Sequence, residues 1–174
     1  MGAIGPEDPF AAAMEGGPLR DVRAPVHAGL NTLQVAATGI GTAEPRFAFA
    51  ALDAALRYVQ DVLLPACRAE EGTLFLAVDG LTGVRNSCHV MRAQHTTIIR
   101  MAGDLSQAAE AAKAGGDPAE FAQYLQPLLY GLYALARAHL EAEDEAYIGL
   151  VEAMLSSVQV EALANAMRSA TGAG

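Results

Sequence analysis

Five residues of this 174-residue chain carry metal-binding groups at places where apolar side chains are expected. His139 and Glu143 are four apart in HLEAEDEAY, so on a helix they share one face, about 5–6 Å apart at Cβ. That face carries Leu128, Leu132 and Leu135 before them and Tyr147 and Leu150 after them. Glu70 continues the stripe Leu56, Val59, Leu63, Ala66, with Leu74 and Ala77 beyond. His95 lies between Met91 and Ile98/Ile99, and His27 lies beside Val26 and Leu30. Burying a carboxylate costs several kcal/mol unless a partner or a cation compensates. One histidine on an apolar stripe reads as a hydrogen-bonded core residue. One inward ligand or ligand pair from each of four helices, imidazole mixed with carboxylate, is what a carboxylate-bridged metal pair requires. Asp144 is a further acidic candidate, Glu141 and Glu145 fall on the solvent side, and His89 lies off the stripe and has no assigned role.

The elements that must position these groups are helical. Apolar positions recur at helical spacing over residues 23–38, 45–78, 84–114 and 117–155, and no segment keeps a period of two. Pro45 suits a first helical position. Asp117, Pro118 and Glu120 make a helix start with capping-box spacing. Gly39 and Gly41 close the first helix, DGLTG at 79–83 is a turn cluster, and AGGD at 114–117 breaks the third helix. Pro65 and Pro127 fall inside helices and predict kinks. A short fifth helix starts at Ser156 or Ser157. The expected fold is all-α: an up-down four-helix bundle over 18–174 with an extra C-terminal helix, after a flexible Gly/Pro-rich tail at 1–17.

Composition narrows the function. Hydrophobic residues are 52% of the chain, aromatics only 6%, and Trp is absent, so the core is built from Ala, Leu, Val and Met. The net charge of −9, with eleven Lys plus Arg and no basic cluster, argues against nucleic acid and anionic membranes as partners. No apolar run approaches the ~20 residues of a membrane span, and the start MGAIGPEDPF lacks the basic and apolar parts of a secretory signal. The expectation is a soluble cytoplasmic protein. Cys67 and Cys88 make no disulfide framework and read as free, buried thiols.

In order and spacing the chain resembles the hemerythrin-like (HHE cation-binding) family, over about residues 19–155. That family has a His on helix one, His-x3-Glu on helix two, a His on helix three and His-x3-Glu on helix four. His27 in PVHAGL, Glu70 in ACRAEE, His95 in MRAQHTTI, and His139 with Glu143 in HLEAEDE match it. The resemblance implies a four-helix bundle around a non-heme di-iron centre, with manganese or zinc as other metals. Glu70 and Glu143 would bridge the metals, His27 would serve one of them, and His95 and His139 the other. Oxygen, peroxide or nitric oxide are the implied small ligands. The reading is a protein that binds or reacts with them. An oxidase or peroxide-consuming enzyme, and a metal-poor bundle acting through protein partners, are the alternatives.

Two positions depart from the family. Met91 stands where oxygen-carrying members have a second helix-three His, so that ligand set is absent. Ala66 stands where the helix-two His belongs. Three outcomes are open there: two metals with the vacancy filled by water or a neighbour, a site reduced to one metal or none, or an engineered substitution. Cys67 and Glu71 are also four apart but about 100° round the helix; a register change at Pro65 would bring them inward as substitutes. Tyr147, one turn after Glu143, is a candidate to line the pocket.

Overall fold

The computed structural model describes residues 16–172; the expected tail at 1–17 lies almost wholly outside them. Among the described residues there are helices and no strands. Four helical rods pack in a ring. The first is α1 (Pro18–Gly29) and α2 (Asn31–Gly39); the second is α3 (Pro45–Tyr58), α4 (Leu64–Gly72) and α5 (Leu74–Thr82). The third is the single helix α6 (His89–Gly115); the fourth is α7 (Ala122–Glu143) and α8 (Gly149–Met154). The first rod touches the second and fourth through α2, and α6 closes the ring against α3, α4 and α7. The extra helix α9 (Ser157–Ala170) packs outside, on α1 and α4. No described helix is long and apolar enough to cross a membrane.

Local chemistry explains most of the boundaries. Pro18 and Pro45 open α1 and α3 at the position where a missing N–H is harmless. Asp117 accepts from the Ala119 N–H at the start of the fourth rod, which begins as a 3₁₀ turn over Pro118–Phe121. Ser156, rather than Ser157, caps α9, in a full capping box with Gln159. Pro65 does disturb the second rod: the turn before it, Val59–Leu63, widens to π-helical spacing, with the Leu64 N–H reaching back to Val59. A second widened turn, Asp144–Ile148, follows Glu143 with no proline to mark it.

Several boundaries differ from expectation. The first rod starts at Pro18 rather than residue 23, which places Arg23 well inside α1. The second rod breaks at Thr73 (φ −133°, ψ −73°) and then continues through 79–82, so DGLTG is not a turn. Its stop is Gly83, in the left-handed region at φ 67°. α6 starts at His89, not near residue 84, because the Asp79 carboxylate accepts from the Asn86 and Ser87 N–H groups and the Ser87 hydroxyl, holding 83–88 as a loop. Pro127 lies within an unbroken α7, near its start.

The core divides into two apolar layers. One runs from Val26, Leu30 and Leu33 to Leu132, Ala136 and Leu140, and includes Ala66, Cys67 and Ile98. The other joins Leu19, Leu74, Phe75 and Met91 to Ile148, Val151 and, from α9, Val160, Ala164 and Met167. On every rod the chain passes from one layer to the other through a buried polar residue: Arg23, Glu70, His95, and His139 with Glu143.

Gly29 fixes the approach of α1 to α3. A methyl group there would overlap the Tyr58 ring, whose hydroxyl donates to the Val26 carbonyl at 2.8 Å. Helix propensity alone makes Ala better than Gly by roughly 0.5–1 kcal/mol. Gly29→Ala is expected instead to destabilise by about 1–3 kcal/mol, the range for overpacking. Urea unfolding decides it; a variant as stable as the parent would show that this approach is not tight.

Candidate metal centre

The polar layer gathers four of the five expected ligands. Glu70, His95, His139 and Glu143 are all buried, and each offers a ligand atom within 4.8 Å of the others. His95 Nε2 lies 3.3 Å and His139 Nε2 3.9 Å from Glu70 Oε2, and His139 Nε2 lies 3.6 Å from Glu143 Oε2. The two Nε2 atoms face each other at 2.9 Å.

What lies behind the imidazoles fixes their orientation. His95 Nδ1 donates to Glu71 at 3.0 Å, and His139 Nδ1 donates to Gln94 Oε1 at 2.9 Å. With both Nδ1 atoms committed as donors, both Nε2 lone pairs turn inward, as metal-binding histidines are held. Phe75 stacks on the His95 ring at 5.3 Å and closes the layer on that side. Glu70 Oε1 and Glu143 Oε1 are buried with no hydrogen-bond partner. Two imidazole nitrogens and two carboxylates brought this close together in a buried layer suit a cation between them. The donor set fits a metal ion: Glu70, His95, His139 and Glu143 are the residues that would hold it.

One cation is already present on the other side. Arg23 is 1% exposed. Its Nη2 donates to Glu143 Oε2 at 2.8 Å and its Nη1 to Asp144 Oδ1 at 2.6 Å, while its Nε stands 3.5 Å from Glu70 Oε1. Asp144 also faces His27 Nε2 at 3.2 Å. His27, expected among the ligands, is therefore outside the group of four: its side chain is 41% exposed and engaged at the rim. The physical reason lies one turn earlier, where the longer Arg23 side chain takes the interior place on the same helix face.

The remaining candidates have other duties. Glu71 is part-exposed and orients His95. Asp144 meets Arg23 and His27. Cys67 is buried near His95, where burial raises its thiol above the usual range. Tyr147 packs edge-on against Phe75, which stacks on His95. Ala66 lies on the wall of a cavity of about 270 Å³, together with Arg23, Glu70, Val26, Val62 and Met167. Two participants went unread in the sequence, Arg23 and Gln94. Arg23 had a signal: it continues the stripe Leu19, Val26, Leu30, where an arginine has no reason to be unless acids meet it inside.

The charges interact strongly. Burial raises Glu70, but the adjoining His139 and His95 imidazoles and the Arg23 charge outweigh it and hold its carboxyl below the usual range. Glu143 moves the other way, pushed up by burial and by the Glu70 charge. Burial lowers His95, but Cys67 and Glu70 beside it lift it to about 10. His139 is lowered, by burial first.

The family model described as hemerythrin HHE cation binding domain matches residues 25–151. Arg23 and α9 lie outside that span. No curated protein and no solved structure matches the chain.

Two outcomes follow from this geometry. Metal competes with protons for the His95 and His139 imidazoles, so apparent metal affinity is expected to rise with pH from 6 to 8, with proton release in calorimetry; a pH-independent affinity contradicts imidazole ligation. Arg23→Met leaves buried carboxylates without their cation. In the metal-free protein it is expected to lose about 3–5 kcal/mol in urea unfolding. A loss under about 1 kcal/mol would mean that Arg23 does not hold the layer together.

Proposed function

Because the chain belongs to the hemerythrin HHE cation-binding domain family, and its buried Glu and His side chains converge on one point, we propose a non-heme iron protein that binds or reacts with oxygen, peroxide or nitric oxide. The observation that carries this reading is the pair of imidazole Nε2 atoms turned toward each other at 2.9 Å with Glu70 Oε2 and Glu143 Oε2 within 3.3 to 3.9 Å of them. Mixed imidazole and carboxylate donors suit iron and also manganese or zinc; iron is the choice the family favours. Bound iron supplies an open coordination position and a change of oxidation state. The chain's own residues do the rest. Glu71 and Gln94 keep the imidazole lone pairs inward, Phe75 and the two apolar layers exclude bulk water, and Arg23 holds Glu143 in place.

The cavity beside Ala66 supports a second reading. Its wall mixes apolar Val22, Val26, Val62 and Met167 with charged residues that include Glu70 and Arg23, which suits a small organic molecule. In that reading the chain is an oxidase whose substrate enters next to the place of the missing imidazole.

The test is the purified protein after iron supplementation. The first reading expects bound iron, near-ultraviolet or visible absorption that changes on adding oxygen, peroxide or nitric oxide, and loss of most of the iron in His139→Ala and Glu143→Ala with helicity retained. Absence of iron, or a spectrum indifferent to all three ligands, contradicts it. Sustained peroxide consumption over many turnovers favours the enzyme.

A further inference from the structure

We propose that the Arg23 guanidinium occupies the place of a second metal ion, so that this chain holds one metal where its family holds a pair. The inference rests on the metal reading above and sharpens its stoichiometry.

Glu70 and Glu143 each have two sides. On one side Glu70 Oε2 and Glu143 Oε2 lie within 3.3 to 3.9 Å of the inward imidazole nitrogens. On the other side stands Arg23, which faces Glu70 Oε1 and Asp144 and also bonds the same Glu143 Oε2 that approaches His139. A bridging metal pair needs both oxygens of each carboxylate, and here a fixed positive charge already stands against Glu70 Oε1 and Glu143 Oε2.

The ligands of that second side are missing in step. Ala66 offers no imidazole, and it lines the same cavity as Arg23 and Glu70. His27 is the other ligand expected there, yet its Nε2 faces Asp144 at the rim. A metal on this side would find neither imidazole and would stand against a guanidinium that cannot lose its proton.

The charge balance agrees. Glu70, Glu143 and Asp144 bring three negative charges when ionised, and Arg23 neutralises one. A single divalent ion among the four ligands neutralises the other two. With Arg23 in place, a second divalent ion would add two further positive charges to a layer closed above and below by apolar side chains, with only the part-exposed Glu71 beside His95 left to offset them. Arg23 and Glu70 both line the cavity beside Ala66.

The experiment is metal counting with electron paramagnetic resonance on the iron-loaded full chain, in three forms: the parent, Ala66→His, and Ala66→His combined with Arg23→Ala. Circular dichroism checks that each remains helical. The proposal expects one iron per chain in the parent, with the ferric signal of an isolated ion. It expects Ala66→His to stay at one, because Arg23 still fills the place. It expects the double variant to reach two, with the isolated-ion signal lost to magnetic coupling within a pair. Two irons in the parent, or two in Ala66→His alone, overturn the proposal while leaving the metal reading intact. A folded double variant that stays at one iron also overturns it. A parent with no iron overturns both.

Discussion

Two carboxylates buried in the middle of a helical bundle are the constraint around which the molecule is organised. Glu70 and Glu143 sit between two apolar layers and are pulled from opposite sides, by imidazoles on one and by a guanidinium on the other. Charges in such a place are tolerated only with well-placed counter-charges. Each rod contributes to meeting that need. α1 brings Arg23, α4 brings Glu70, α6 brings His95 with Gln94 behind His139, and α7 ends on His139 and Glu143.

The irregularities of the helices cluster at this layer. The widened turn Val59–Leu63 precedes Ala66 and Glu70, and the widened turn Asp144–Ile148 begins directly after Glu143. Consecutive residues on a regular helix point about 100° apart. Glu143 and Asp144 nevertheless meet two nitrogens of the same guanidinium, at the point where the helix widens. Such turns are often found at functional sites. α9 then covers α1 and α4 from outside, and its Met167 helps wall the cavity that leads to Ala66.

Much of this was legible in the sequence. The four rods followed from apolar spacing, and the starts at Pro45, Asp117 and Ser156 from helix-end chemistry. Four site residues stood out because each interrupts an otherwise apolar stripe, and the structure gathers them. What escaped has physical reasons. A widened turn without a proline has no local signature. The 79–83 segment contains turn-forming residues, yet packing and the left-handed Gly83 carry the helix past them. Arg23 was missed because arginine usually marks a solvent face, and its burial depends on acids more than forty residues away in sequence. His27 was read by its spacing alone, which identifies a helix face but not which of two residues on that face takes the interior.

The account turns on where positive charge sits around Glu70 and Glu143. Anomalous scattering at the iron edge from crystals of the iron-loaded chain tests that most directly. A single peak among Glu70, His95, His139 and Glu143, with the Arg23 guanidinium still on Glu143 and Asp144, is the predicted result. Two peaks bridged by the carboxylates, with Arg23 turned away and His27 drawn in, would contradict it.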